Sequence, residues 1–280
     1  MKKIKYFLLT KSIGFGLNSL SYLQPKKATK IAYRLFSKPR RGKLVKDNLP
    51  NFLQNIPSQR FSADEHHLET YIWKGNAHVI LLVHGWESNT SRWEKLLPYL
   101  QQTGSTIVAI DAPGHGLSGG SEFNVVKYAS YIDVAVKQYE PAVLIGHSIG
   151  GAACIYYQSE YKNQDLQMMV VLGAPSDYSI IVSNYVKLLS LNKRMKRFLE
   201  NAFSEKFNKE ISEFSMAAFA KEIQIPGLIV HDVEDDIVAF GEGQKIAAAW
   251  KNAQFIQTEG LGHSLHDDEV YEKIISFLRG

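Results

Sequence analysis

Residues Gly146-His147-Ser148-Ile149-Gly150 carry the clearest chemistry in this chain. The apolar run Ala142-Val143-Leu144-Ile145 leads straight into Gly146, and a stretch of helical character with Ala152, Ala153 and Ile155 starts just past Gly150. Strand, sharp turn and helix in that order force the serine backbone into a strained conformation, which is tolerated only if the residues two before and two after it lack side chains. Both are glycine. The strain holds the Ser148 hydroxyl clear of the sheet, at the mouth of a helix whose first amides are unpaired. Such a hydroxyl is a nucleophile that needs a base, and donors for the charge its attack creates.

With its strand and helix in place, the pentapeptide resembles the nucleophile turn of the α/β-hydrolase superfamily, in its serine branch. The resemblance covers roughly residues 60 to 280 and implies an α/β-hydrolase fold: a doubly wound, mostly parallel sheet with a helical cap insertion. His84-Gly85-Trp86, after the short apolar strand His78 to Val83, is similar to the family's H-G-x oxyanion loop. Glycine lets the chain turn there, so that the amide of Trp86 can face a reacting carbonyl beside the amide of Ile149. Trp86 and His147 are the candidates for the substrate pocket. Asp111 to Ser118 resembles the family's D-x-P-G-x-G-x-S turn almost letter for letter, which makes Asp111, His115 and Ser118 structural, and His84 is assigned a structural hydrogen bond as well. His231 to Val238 resembles the H-G-x-x-D-x-x-V loop with Asp232 at the usual glycine position. That places the acid at Asp235, with Asp236 its neighbour and Asp177 the site some family members use instead. Glu259 to Ser264 is similar to the family's G-x-G-H end and gives His263 as the base, with His266 as second choice.

Serine, acid and histidine then follow in the order 148, 235, 263, as this fold requires. The implied reaction is acyl transfer through an acyl-enzyme, with carboxylic esters as the default substrates and lipid-like esters if the chain meets a membrane. Thioester or carbon–carbon bond hydrolysis on the same triad stays open, and a non-catalytic binding protein of this fold is the reading from another class. A serine at the elbow argues against the dehalogenase and epoxide-hydrolase branches, which use aspartate. No paired cysteines, H-E-x-x-H or glycine-rich phosphate loop occur, so neither metal nor cofactor is expected.

The elements that must position these groups fit within 280 residues of 45% hydrophobic content, enough for one catalytic domain with insertions. Four segments are expected: a leader and connector over 1–57, core over 58–176, a helical cap over 177–224 and core again over 225–280. A strand pair is expected around Asp64 to His67, helices over Ser91 to Gln102 and Glu122 to Tyr139, strands over Ser105 to Ile110, Met168 to Leu172 and Ala253 to Thr258, and a closing helix over Asp268 to Arg279. The single Cys154 excludes an internal disulfide, suits a reducing compartment and reads as a buried apolar residue.

Charge is unevenly spread. Residues 1 to 46 hold thirteen Lys and Arg and no Asp or Glu, and the rest of the chain carries a balance of −9. Lys2, Lys3 and Lys5 could open an export signal, but Lys11 breaks the apolar run and no A-x-A-like cleavage site follows. The ~20 apolar residues of a membrane span are missing too. Two readings of residues 4 to 36 remain: helices packed on the catalytic body, or peripheral contact with a membrane through residues 1–46. Nucleic acid is not expected as a partner, the localisation expected is cytoplasmic or peripheral at the membrane, and oligomeric state is not legible.

Overall fold

Short runs of consecutive apolar residues make the centre of the molecule, because a parallel sheet covered on both faces leaves its strands no solvated side. The computed structural model describes residues 2–280; Met1 and the side chains of Lys2 and Lys3, two lysines of the n-region considered above, lie outside the described residues. Eight strands form one sheet: β1 (Ser58–Ala63), β2 (His66–Trp73), β3 (Asn76–Val83), β4 (Ser105–Ile110), β5 (Val143–His147), β6 (Met168–Leu172), β7 (Gly227–Asp232) and β8 (Ala253–Thr258). Their spatial order is β1-β2-β4-β3-β5-β6-β7-β8. β1 and β2 run antiparallel at one edge, and every pairing from β4 to β8 is parallel. The mostly parallel α/β-hydrolase sheet expected from the sequence is the sheet observed.

Alternation sorts the strand residues between two helical layers. Ile80, Leu82, Val143, Ile145, Val170, Leu172, Leu228 and Val230 share one core with Trp93, Leu97, Leu100 and Ile274, from α3 (Leu97–Gln101), the turn before it and the closing helix. The opposite face takes α4 (Val125–Tyr139) and α5 (Ile149–Tyr161). Each fully buried Leu, Ile or Val contributes roughly 1.5–3 kcal/mol over leaving it in water, so the centre of the sheet is also where the molecule is hardest to deform.

The chain divides into two compact units, Pro39–Ser176 with Met216–Gly280, and Met1–Lys38 with Asp177–Ser215. The first holds the whole sheet together with α3, α4, α5, α8 (Met216–Ala220), α9 (Phe240–Ala249) and α10 (Asp268–Arg279). The connector belongs to it too: Leu53 is buried and the ring of Phe52 stacks on Trp73. So does α8, at the end of the strandless insertion, whose Met216, Phe219 and Ala220 are buried and whose Phe219 meets Tyr156 of α5.

The second unit is helical, built from α1 (Lys2–Leu23), α2 (Pro25–Ser37), α6 (Tyr178–Leu189) and α7 (Lys193–Phe207). The helices of the leader thus pack with those of residues 177–215. Phe36 of α2 lies edge-on to Tyr185 and Phe203, each at 5.1 Å between centroids, and Tyr178 packs on Phe203, Phe207 and Phe214. At Gly14 of α1 a Cβ would fall 1.6 Å from the carbonyl oxygen of Leu189, so only glycine lets α1 pass the end of α6. Lys11 Nζ donates there to the carbonyl of Leu188 at 3.1 Å and to Ser190 Oγ at 2.7 Å, a cation on the orphan carbonyls of a helix end. Among the described residues no helix is long and apolar enough to cross a membrane.

Candidate active site

Parallel register brings distant pieces of chain to one edge of the sheet. Val83 pairs with Gly146, His147 with Leu172, Leu172 with Val230, and Asp232 with Thr258. The carboxyl ends of β3, β5, β7 and β8 therefore lie in a row, the usual place for a site in an open α/β sheet.

Ser148 sits between β5 and α5 with φ 54° and ψ −126°, a region a non-glycine residue enters only under constraint. The constraint is visible at its flanking glycines. A Cβ on Gly146 would stand 2.6 Å from Gly151 Cα, and one on Gly150 would stand 2.3 Å from the Val83 carbonyl oxygen and 2.4 Å from that of His84. The elbow is thus pressed against the loop that leaves β3. Gly85 belongs to the same contact, since its Cβ would lie 2.9 Å from that of Ser148.

The serine Oγ lies 3.0 Å from Nε2 of His263, whose Nδ1 lies 2.7 Å from Oδ2 of Asp235. The acid fixes the tautomer: Nδ1–H donates to the carboxylate, and Nε2 is left to accept from the hydroxyl. Asp235 is held in turn, its Oδ1 accepting the amides of Ile237 at 2.9 Å and Val238 at 2.8 Å. Burial alone would push its carboxyl up, but the bonds from His231, His263 and the Val238 amide outweigh it and hold the group below the usual carboxylate range. A buried acid that stays ionised is what an imidazole needs in order to accept a proton.

The alternatives go elsewhere. Asp236 is exposed, and Asp177 accepts a bond from Ser215 Oγ at 2.8 Å within the helical unit. His266 bonds through Nδ1 to the Tyr271 hydroxyl, and burial lowers it to about 4. His147, expected at a substrate pocket, is buried and donates from Nε2 to the carbonyl of His263 at 2.9 Å. Its ring thereby braces the turn that carries His263. Trp86 is half-buried, its ring against Phe123 and His115.

Two further residues steady His263. Asp232, fully buried, accepts on Oδ2 from Thr258 Oγ1 at 2.7 Å and from the Leu261 amide at 3.0 Å, and on Oδ1 from the Glu234 amide at 2.9 Å. Burial opposes its charge, but these bonds prevail and hold its carboxyl below the usual value. One carboxylate therefore joins the end of β7 to the loop delivering His263, and its sequence signal was the acid in place of the expected glycine. Arg92 donates from Nη2 to the carbonyl of Ser264 at 2.6 Å, a contact with no signature in the sequence.

The turn after β4 is framework. Asp111 Oδ1 accepts from the amide and hydroxyl of Thr90, and Oδ2 from the amide of Leu117 and the hydroxyl of Tyr71. Its carboxylate fills the space a Cβ on Gly116 would need. Among the described residues no cluster of three or more His, Cys, Asp or Glu is arranged to hold a metal ion.

Set beside known proteins, residues 78–219 match the model of the alpha/beta hydrolase fold family. A bifunctional esterase/perhydrolase of Acinetobacter calcoaceticus is 25% identical over 260 residues, covering 73% of this chain and 92% of its own. Among solved structures, an esterase from Exiguobacterium antarcticum superposes with a TM-score of 0.62 at 15% identity, over 80% of this chain and 100% of that one. A meta-cleavage product hydrolase from Pseudomonas fluorescens gives 0.61 at 15% identity, over 80% and 98%.

Proposed function

Because the chain belongs to the alpha/beta hydrolase fold family, we propose that it is a serine hydrolase of carboxylic esters that works through an acyl-enzyme on Ser148. The observation that supports this most is the pair of hydrogen bonds on His263, 3.0 Å to the serine hydroxyl and 2.7 Å to the Asp235 carboxylate. In this reading Nε2 of His263 takes the hydroxyl proton as Oγ attacks the ester carbonyl, and the imidazolium formed is stabilised by Asp235. The carbonyl oxygen, now an oxyanion, is received by the amides of Trp86 and Ile149. Ile149 opens α5, so its amide has no partner within the helix. One such donor is worth about 3 kcal/mol of barrier. His263 then returns its proton to the departing alkoxide, and water, activated by the same nitrogen, releases the acid.

A fluorophosphonate probe tests the reading directly. It should label the wild type and leave Ser148→Ala unlabelled, and a panel of p-nitrophenyl esters from acetyl to palmitoyl, with a monoacylglycerol and an acyl-CoA, should reveal turnover that Ser148→Ala and His263→Ala lose by about 10³-fold or more. Folded wild-type protein that neither labels nor turns over any of them would favour a binding protein of the same fold.

A further inference from the structure

Helix α1 buries a stripe of mostly small residues within the helical unit and leaves an apolar stripe exposed. Thr10, Gly14, Leu17 and Ser21, spaced four, three and four residues apart, form the buried stripe. Ile4, Leu8, Phe15 and Tyr22, spaced four, seven and seven apart, form a second stripe, and they are 65%, 59%, 75% and 67% exposed. Leu9 and Leu23 widen the exposed surface.

Positive charge surrounds it. The helical unit holds sixteen Lys and Arg against five Asp and Glu, a balance of +11, whereas the sheet-bearing unit holds sixteen against twenty-three, a balance of −7. All five acids lie in residues 177–215, and none lies in α1 or α2. Lys26, Lys27, Lys30 and Arg34 line the exposed side of α2. From α7 the Arg194 guanidinium reaches the ring of Tyr22 at 5.1 Å, so the basic run joins the apolar stripe directly. Between α2 and α7 a cavity of about 610 Å³ is lined by Lys26, Lys30 and Lys206 with Glu205, Tyr33 and Phe198, which sets three cations and one acid around a recess.

We infer that the helical unit docks on the surface of an anionic phospholipid bilayer, with the Ile4, Leu8, Phe15 and Tyr22 stripe at the boundary between headgroups and acyl chains and the cations of α2 and α7 on the phosphates. An exposed aliphatic and aromatic stripe beside a field of lysine and arginine matches an interface that is oily below and negative above. A second copy meeting it through the same helical unit would bring +11 against +11, and a nucleic acid would leave Ile4 and Leu8 without a partner. Lys5 and Lys11 interrupt α1, so it lies along the surface.

The test is sedimentation of the full-length protein with vesicles of phosphatidylcholine alone or mixed with phosphatidylglycerol. Strong binding to the mixed vesicles, weak binding to phosphatidylcholine, and release by salt are expected. Leu8→Asp with Phe15→Asp, at exposed positions and with thermal unfolding as the check on folding, should weaken binding at least tenfold, and Lys26→Glu and Lys27→Glu by about fivefold each on the anionic vesicles alone. Ser148→Ala should bind like the wild type, which separates docking from the hydrolytic reading. Absent binding to mixed vesicles, or stripe and lysine variants that bind as well as wild type, overturns the inference. So does self-association, seen by light scattering, that the Leu8→Asp and Phe15→Asp pair abolishes in protein that ignores vesicles.

Discussion

Replacing Asp235 by Asn sets two needs of the site against each other. The wild-type carboxylate gives Oδ1 to two backbone amides, those of Ile237 and Val238, and Oδ2 to Nδ1 of His263. An asparagine has one acceptor for the two sides. If its oxygen stays with the amides, its NH₂ faces Nδ1 of His263, which must then carry no proton; the proton moves to Nε2, and the ring can no longer accept from Ser148. If the amide flips, two backbone donors meet an NH₂, which forfeits two hydrogen bonds of about 1 kcal/mol each and sets donor against donor. The first arrangement is cheaper, so the variant should fold with its base in the wrong tautomer. The expected loss in kcat is about 10⁴-fold, or roughly 5 kcal/mol of barrier. Steady-state hydrolysis of the best p-nitrophenyl ester, with active sites counted by fluorophosphonate titration, measures it. Asp236→Asn, on an exposed side chain, should change little. A kcat for Asp235→Asn within tenfold of wild type, or an equal loss in Asp236→Asn, would refute the reasoning.

Gly150→Ala should destabilise by at least about 1–3 kcal/mol, because its Cβ would lie 2.3 Å from the Val83 carbonyl oxygen; urea unfolding reads the change, and an unaltered midpoint would contradict the close contact. Asp232→Gly restores the residue usual in the loop but removes three hydrogen bonds, at about 1 kcal/mol each. We expect a lower Tm and a kcat reduced about tenfold with KM little changed, so an unchanged kcat would remove Asp232 from the support of His263. Stability should also fall on acidification. Burial lowers His84 to about 4 and His115 to about 3, below the ~6.5 of an unfolded chain, so the unfolded state takes up protons first as pH drops from ~6.5 toward ~4. The stability is present above that window and lost within it, by a few kcal/mol in all; equal urea midpoints at about pH 7 and pH 4.5 would sink the prediction.

The interior of the sheet was legible because a two-sided burial demand leaves a plain mark. Ser105–Ile110 and Met168–Leu172 begin and end as read from their apolar runs, and the edge strand Ala253–Thr258 also keeps its expected bounds. Element starts set by a single side chain were harder. The helix expected from Glu122 starts at Val125, since Asn124 accepts from the Lys127 amide and caps it there. The helix expected over Ser91 to Gln102 is split into a 3₁₀ turn over Thr90–Glu94 and the short α3 that starts with Leu97 and Pro98. Pairings across long sequence separations left no mark at all. Nothing in Lys11 or Asn18 announces a partner near Ser190, and nothing in His147 announces the carbonyl of His263, because a hydrogen bond fixes geometry without fixing residue type.

The histidines around the site show why residue type alone misleads there. His84 donates from Nδ1 to the Gly85 carbonyl at 2.8 Å and accepts on Nε2 from the Ala112 amide at 3.0 Å, which ties the loop after β3 to the turn after β4. His115 repeats the device, donating to the Pro113 carbonyl and accepting from the Glu87 amide. A neutral imidazole is the side chain that offers one donor and one acceptor on opposite sides of a rigid ring, and burial keeps both rings neutral. A protonated ring would turn each acceptor into a second donor pointing at an amide. The same burial that disqualifies these rings as proton carriers therefore makes them braces, and in the proposed reaction proton transfer falls to His263, whose acid partner stays ionised beside it.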